Sequence, residues 1–310
     1  MLALSASDIL ESSPSQANSE LECVAMSHRV KAISSLNEAI GKPIASVEEG
    51  NAIIATCFSL LFQSTLINEG LVEYMTFIRG IVVVSMHMGE KNIAFLFEHL
   101  FDQAQVVESE LAESPLIDPE HARRACRSLE LFYPLVQNAR EKELYGHLLS
   151  TARALFTSSQ AGAIHFNILT TFQVDTDCPA YTNLAKIYGL FSYFMSHEEF
   201  AMFIDPNNEA GKLLQSHFGA LQLIMTPFTR RETAGSRRRN AIMGQNNDGT
   251  TARWLVALHR NIKPEMRPYY EWPIWVENAV AARKLKLRWD DDVPSTHSCG
   301  AEESRRSGEP

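Results

Sequence analysis

Apolar residues recur along this chain with the 3.6-residue period of an α-helix. In the clearest stretch they lie three and four residues apart and line one face of a helix that begins near Pro179. The members of this face are Leu184, Ile187, Tyr188, Phe191, Phe194 and Met195. Similar faces occur within 122–136 and 144–156, and strand-like alternation over a useful length is missing from the sequence. The pattern therefore predicts an all-α fold.

Signals for helix starts and stops agree with these faces. Ser46 and Glu49 have the spacing of a capping box, as do Ser196 and Glu199. Asp118 precedes a proline at the first helical position, where the missing N–H costs nothing. Stop signals stand at Gly41, Gly89, Pro134 and Asp205-Pro206. Together they predict a multi-helix array of about ten helices around one apolar core.

Two neighbouring segments are unusually apolar. Residues 51–68 carry no charge, and 71–88 are apolar nearly all round, so we expect both helices to be enclosed by others. Their centre is either a solid core, the commoner outcome for such stripes, or a cavity for an apolar ligand. The candidate pocket would be lined by Phe58, Leu61, Phe62, Phe77, Ile81, Met86, Phe194, Met195 and Met225. Polar residues dilute the uncharged run too much for a membrane span, which needs about 20 predominantly apolar residues.

Composition narrows the function classes. The 310 residues have a formal charge of −9, which argues against a surface built to neutralise nucleic-acid phosphates, so no direct DNA binding is expected of this chain. The five cysteines are widely spaced, and none forms a CxxC pair. They are typical of reduced thiols inside the cell. The first residues also lack the basic segment of a signal peptide.

The sequence offers little catalytic or metal-binding chemistry. His87 and Glu90 lack a second pair of ligands, and His197-Glu198-Glu199 is explained by helix capping. Asp290-Asp291-Asp292 resembles the magnesium motif of helical terpene cyclases but heads a polar tail. GxSxG, P-loop and Rossmann patterns are missing. We therefore expect neither an enzyme nor a metal or cofactor site.

The domain organisation follows from composition. We expect one helical domain over 1–288 with a mobile loop at 229–250, followed by a disordered tail over 289–310. The loop contains five arginines that form either a nuclear import signal or a solubilising surface. They are Arg230, Arg231, Arg237, Arg238 and Arg239.

Several short stretches, in order, resemble the regulatory region of fungal Zn₂Cys₆ zinc-cluster transcription factors, of the sterol uptake control type. They are 1–7, 28–39, Tyr74-Met75-Thr76-Phe77-Ile78-Arg79-Gly80, Phe172 with Pro179-Ala180, Leu184-Ala185-Lys186-Ile187-Tyr188 and Tyr270-Glu271-Trp272-Pro273. The likeness covers roughly 1–285. The six-cysteine cluster itself is absent from the sequence, so the chain is either part of a longer factor or the partner of one.

The resemblance implies an all-α regulatory domain of a transcription regulator in the nucleus. It implies a homodimer, or a heterodimer with a full-length zinc-cluster factor, and in sterol-responsive members a sterol or other apolar ligand. The target genes would belong to a sterol or secondary-metabolite set. The alternative is an α-helical enzyme acting on an apolar substrate such as a terpenoid, which would need paired carboxylates or a metal set facing the core.

Overall fold

In the computed structural model the described residues are 2–12, 19–97, 117–157, 179–225 and 247–282. Within these ranges the chain forms eleven α-helices and no β-strand, which confirms the all-α class. The helices are α1 (Leu2–Ser12), α2 (Ser19–Ile40), α3 (Val47–Ser64), α4 (Leu71–Glu90), α5 (Pro119–Phe132), α6 (Ala139–Thr157), α7 (Pro179–Gly189), α8 (His197–Phe203), α9 (Glu209–Ile224), α10 (Asn247–His259) and α11 (Glu271–Ala281). A π-helix, Leu190–Phe194, follows α7, and 3₁₀ turns occupy Tyr133–Leu135 and Pro264–Tyr270.

Neighbours in sequence are mostly neighbours in space. α1 packs on α2, α3 on α4, and α6 on both α5 and α7. α4 contacts the π-helix and so joins the first four helices to the middle of the chain. The Arg253 side chain of α10 donates to the Leu66 carbonyl across 3.2 Å, which fastens the last helices to the α3–α4 turn. One continuous apolar cluster extends from α2 to α11 and includes the π-helix, while α1 packs on α2 outside this cluster.

The helix starts follow the capping signals. The Ser46 hydroxyl accepts from the Glu49 N–H, while the Glu49 carboxylate accepts from the Ala45 N–H. At α8 the box is reciprocal, because the Ser196 hydroxyl accepts from the Glu199 N–H and the Glu199 carboxylate accepts from the Ser196 N–H. Each pairing satisfies N–H groups that a helix leaves without an internal partner.

The most enclosed helix is α9. Twelve of its sixteen residues are buried, including the polar Gln215, Ser216 and His217. It contacts α5, α6, α10 and α11, so it lies at the centre of the second half of the array. A helix buried on all sides must satisfy its polar groups internally, and this requirement produces the buried contacts described below.

α4 was predicted to be enclosed by other helices, but one side of it is exposed. Its buried residues include Met75, Ile78 and Ile81, but Val83 and Met86 are exposed. Within the described part of the chain, α4 is the helix that is long and apolar enough to cross a bilayer by length and composition. Core helices of soluble proteins pass the same test, and 44% of its most apolar window is buried within the fold.

Parts of the predicted domain plan lie outside the described residues. These parts are 226–246, which holds most of the predicted loop, and the predicted tail 289–310. The last four residues of the predicted loop, 247–250, belong to α10.

Candidate functional site

Most residues of the predicted pocket belong to the packed core. Leu61, Phe77, Ile81, Met195 and Met225 are all buried in the same apolar cluster. Two further members, Phe58 and Phe62, are half-buried and stack on each other with ring centroids 6.1 Å apart. The structure therefore brings seven of the nine residues to one continuous core and its edge.

The other two members lie on the surface. Met86 is exposed because it follows Ile81 by five residues, which places the two side chains on different sides of α4. Phe194 is 47% exposed, although the helical period placed it on the face of Phe191. The reason is the π-helix, whose wider turn rotates the residues that follow and breaks the 3.6 period. These two residues were wrongly assigned to the interior.

The remaining candidates from the sequence lie either outside the described residues or on the surface of α4. The five arginines of the import hypothesis and Asp290-Asp291-Asp292 lie outside the described residues. His87 and Glu90 are exposed near the end of α4. Among described residues, no group of three or more His, Cys, Asp or Glu side chains is placed to hold a metal ion.

A relay of three side chains, of which Ser216 is buried and His259 and Glu277 are partly buried, joins α9, α10 and α11. The Ser216 Oγ lies 2.7 Å from the His259 Nε2, and the His259 Nδ1 lies 2.5 Å from a Glu277 carboxylate oxygen. A carboxylate only accepts, so Nδ1 carries the proton and Nε2 accepts from the Ser216 hydroxyl. Burial lowers the pKa of His259, and the hydrogen bond that His259 donates to Glu277 opposes that shift.

The relay has the connectivity of a serine nucleophile, a general base and an orienting acid. Its setting differs from that of an active site, because the Ser216 side chain is fully buried within α9. As it stands, the relay satisfies three polar groups and ties three helices together.

A second buried histidine lies one residue further along α9. The Nδ1 of His217 donates to the Leu213 carbonyl across 2.8 Å, so Nε2 is free to accept from the Ser128 hydroxyl at 2.9 Å. The ring lies against Phe132 and stacks on Trp272. Burial among these rings lowers the pKa of His217 to about 3, so the imidazole is neutral at physiological pH.

Neither the relay nor the contacts of His217 could be predicted from the sequence. Ser216, His259 and Glu277 are far apart in the chain, and each belongs to an ordinary helical pattern. A usable signal was the polar Gln215-Ser216-His217 run inside the apolar helix 209–224. Polar residues in such a position must find partners, although the pattern does not identify them.

A groove of about 570 Å³ opens beside the start of α11. It is lined by Pro264, Arg267, Pro268, Glu271, Ile274, Trp275 and Asn278. The Arg124 guanidinium lies over the Trp275 ring at 4.8 Å, and the His121 ring lies 5.0 Å away. Arginine beside an indole face suits flat or extended polar groups better than a sterol.

α4 and the π-helix pack on each other, and each carries two exposed large apolar side chains. We call these four residues, Val83, Met86, Tyr193 and Phe194, the α4–π surface. Arg79 holds the two elements together, because its guanidinium donates to the Phe191 carbonyl at 3.1 Å and lies over the Phe200 ring. Val83 and Met86 follow Arg79 by four and seven residues and so continue along the same side of α4.

Comparison with known proteins finds no relative of this chain: no protein-family model, curated protein or solved structure matches it. The likeness to zinc-cluster regulators therefore depends on the short stretches quoted for it. Of these, 74–80 lies within α4, 184–188 within α7, and Trp272 and Pro273 are buried at the start of α11.

Proposed function

We propose that this chain is a regulatory domain of a transcription regulator of the fungal zinc-cluster type, which acts in the nucleus by binding protein partners. The observation that carries the proposal is the α4–π surface. Clustered, exposed large apolar side chains on a folded domain mark interaction sites, whereas scattered ones need no explanation. The all-α fold and the resemblance of the sequence support the same function.

The surface suits a protein partner better than a small molecule. Val83 and Met86 lie three residues apart on α4, and Tyr193 and Phe194 lie on the π-helix that packs on α4, with their rings 5.1 Å apart. Aromatic and methionine side chains are enriched where proteins bind one another. The adjacent Arg79 is engaged within the fold, so it stiffens the surface rather than charging it.

Sterol or lipid sensing is the less favoured part of the proposal. Leu61, Ile81 and Met225 of the predicted pocket are buried in contact with the rest of the core, which favours a solid centre. The groove beside Trp275 is the alternative site for a ligand, and its arginine and glutamate side chains favour a polar one.

The experiment is a tethering assay in a fungal host. The full chain is fused to an unrelated DNA-binding module, and a reporter gene downstream of its target site is measured. We expect a several-fold change in reporter expression, upward for an activator and downward for a repressor. A double variant, Met86→Glu with Phe194→Asp, should abolish the change in reporter expression, because burying a charge in an apolar interface costs free energy.

A matched control separates the surface from general damage. Leu131 is an exposed leucine on α5, outside the α4–π surface, so Leu131→Glu should leave the reporter change intact. Equal protein levels and equal helical circular dichroism are required of all variants. A wild-type fusion without effect on the reporter would contradict the proposed function.

The enzyme alternative is favoured by one observation, the Ser216–His259–Glu277 relay. Acyl transfer on an apolar ester is the chemistry that this connectivity performs elsewhere. A fluorophosphonate probe that labels the chain, with labelling lost in Ser216→Ala, would establish a reactive serine. We expect no labelling of the folded chain, because the Ser216 hydroxyl is enclosed by α9, α10 and α11.

A further inference from the structure

α2 carries an exposed seam with the spacing of a coiled coil. Its residues lie alternately three and four positions apart: Cys23, Met26, Val30, Ile33, Asn37 and Ile40. This is the a and d pattern of consecutive heptads, with Cys23, Val30 and Asn37 at a and Met26, Ile33 and Ile40 at d. Ile33 is half-buried, and the other five side chains are exposed.

The seam lies beside the face that α2 uses within the fold, and only Ile33 of the seam also packs against the core. The buried residues of α2 are Ala25, Arg29 and Leu36, which lie about a quarter of a turn away around the helix axis. Val30, at the centre of the seam, is 64% exposed. α2 is thus apolar over a wider arc than its own protomer covers, and the uncovered part is regular.

The flanks of the seam suit a second copy of the same helix. Positions e and g of a coiled coil normally carry charges that select the partner. Here the e positions are Ser27 and Ser34, which are exposed and uncharged. The g positions are Glu22, which is exposed, and Arg29 and Leu36, which are buried, with Arg29 paired with Glu73 inside the protomer. In a parallel pair the g residue Glu22 faces the e residue Ser27 of the other helix. Identical seams can therefore meet without bringing like charges together.

Asn37 fixes the direction of pairing. In a parallel two-fold pair each a residue faces its own counterpart, so two Asn37 side chains meet and their amides can bond to each other. In an antiparallel pair centred on the seam, Asn37 would face Met26 of the other helix and its amide would lose water without a partner. We infer that α2 is the dimerisation helix of this chain, which pairs in parallel with α2 of a second copy.

This inference deepens the proposed function by naming one partner, but its test does not use transcription. The full chain is examined by sedimentation and light scattering over a range of concentrations. We expect a dimer, with the association constant lowered at least about tenfold by Val30→Glu, since a charge would be buried at the centre of the seam. Val24 lies on the same helix, exposed and outside the seam, so Val24→Glu should leave the dimer intact.

The direction is tested by a disulfide. Cys178 and Cys299 are replaced by serine, which leaves Cys23 exposed and Cys57 and Cys126 buried. Mild oxidation should then link two chains through Cys23, because a residues of a parallel pair lie close enough for a disulfide, and Cys23→Ser should abolish the link. With Ile40→Cys added, a bond from Cys23 to the introduced thiol of the other chain would show antiparallel pairing and overturn the inference.

Two further outcomes overturn it. The first is a wild-type chain that stays monomeric, and the second is a dimer that Val30→Glu leaves unchanged. Neither outcome bears on the proposed function, because the tethering assay tests that function separately through variants of the α4–π surface. A monomer that still regulates the reporter would reject the seam alone.

Discussion

The guanidinium of Arg29 on α2 donates to the Glu73 carboxylate on α4 across 2.6 Å, with Arg29 1% and Glu73 43% exposed. The same guanidinium donates to the Gln63 side chain at 2.8 Å and to the Ser64 hydroxyl at 3.0 Å on α3. Gln63 in turn donates to the Ser7 hydroxyl on α1. One buried cation therefore connects the first four helices.

Removal of Glu73 should destabilise the chain. Glu73→Ala leaves the buried Arg29 without its counter-ion, and we expect a loss of about 2 kcal/mol in the free energy of unfolding, moderated by the exposure of Glu73. Urea unfolding measures it. Glu38→Ala breaks the exposed Glu38–Lys42 pair and should cost less than about 0.5 kcal/mol. Equal losses for the two variants would refute a special role for the buried contact.

His217 should make stability depend on pH. Its pKa is lowered from 6.5 to about 3 in the folded state, so between these values the unfolded chain binds a proton that the folded chain lacks. The contribution is complete above about pH 6.5 and is lost as the pH falls, by about 1.4 kcal/mol at pH 5.5. His217→Gln should remove this part of the difference between pH 7.5 and 5.5, measured by urea unfolding.

The control for that measurement is His87→Gln, since His87 is exposed on α4. It should keep the wild-type difference between the two pH values. Burial also lowers the pKa of His259 and His147, so a smaller decline toward low pH should survive in His217→Gln. An unchanged decline in that variant would argue against burial of His217.

Two glycines of one hairpin should respond oppositely to alanine. A Cβ on Gly70 would lie 2.0 Å from the Ser64 carbonyl oxygen, so the α3–α4 turn must shift, and we expect Gly70→Ala to cost about 2–3 kcal/mol. Gly89, near the end of α4, has nothing within 4 Å of the same position. Gly89→Ala should stabilise the chain by about 0.5–1 kcal/mol. Thermal unfolding of both variants would show whether the turn is as tight as described.

Asn51 should hold the segment after α4 against the start of α3. Its amide donates to the Val47 carbonyl at 2.7 Å and the Ala94 carbonyl at 2.9 Å, and its oxygen accepts from the Leu96 N–H at 2.8 Å. Asn51→Ala should cost about 1–3 kcal/mol and accelerate amide exchange at Leu96. Thr56→Ala, which loses a contact within α3 only, should leave that exchange rate unchanged.

The sequence predicted the fold well wherever the rule was local. The box at Ser196, the proline after Asp118 and the apolar period of α7 depend on residues within one or two turns, and all appear in the structure. The helix array follows because amphipathic helices have few ways to bury their faces. The heptad spacing of α2 is an equally local pattern. It lies beside an ordinary apolar face, so it is recognised only once the structure shows which residues of α2 are buried.

The candidate site depended on relations that sequence periods do not encode. Phe194 left the interior because of a π-turn, and Met86 because it is out of phase with Ile81. The partners of His259 lie 43 residues before it and 18 residues after it, and no spacing rule connects them. The burial of Arg29 follows from no pattern in the sequence, because an arginine in a helix is normally solvated.

The π-helix after α7 has a consequence for how such a surface arises. A π-turn amounts to one residue inserted into an α-helix, so deletion of a single residue within 190–194 would restore the regular turn. Tyr193 and Phe194 would then rotate by about 100° relative to α4, and their rings would leave the α4–π surface. One codon thus separates a chain with these two rings on the α4–π surface from a sister chain without them.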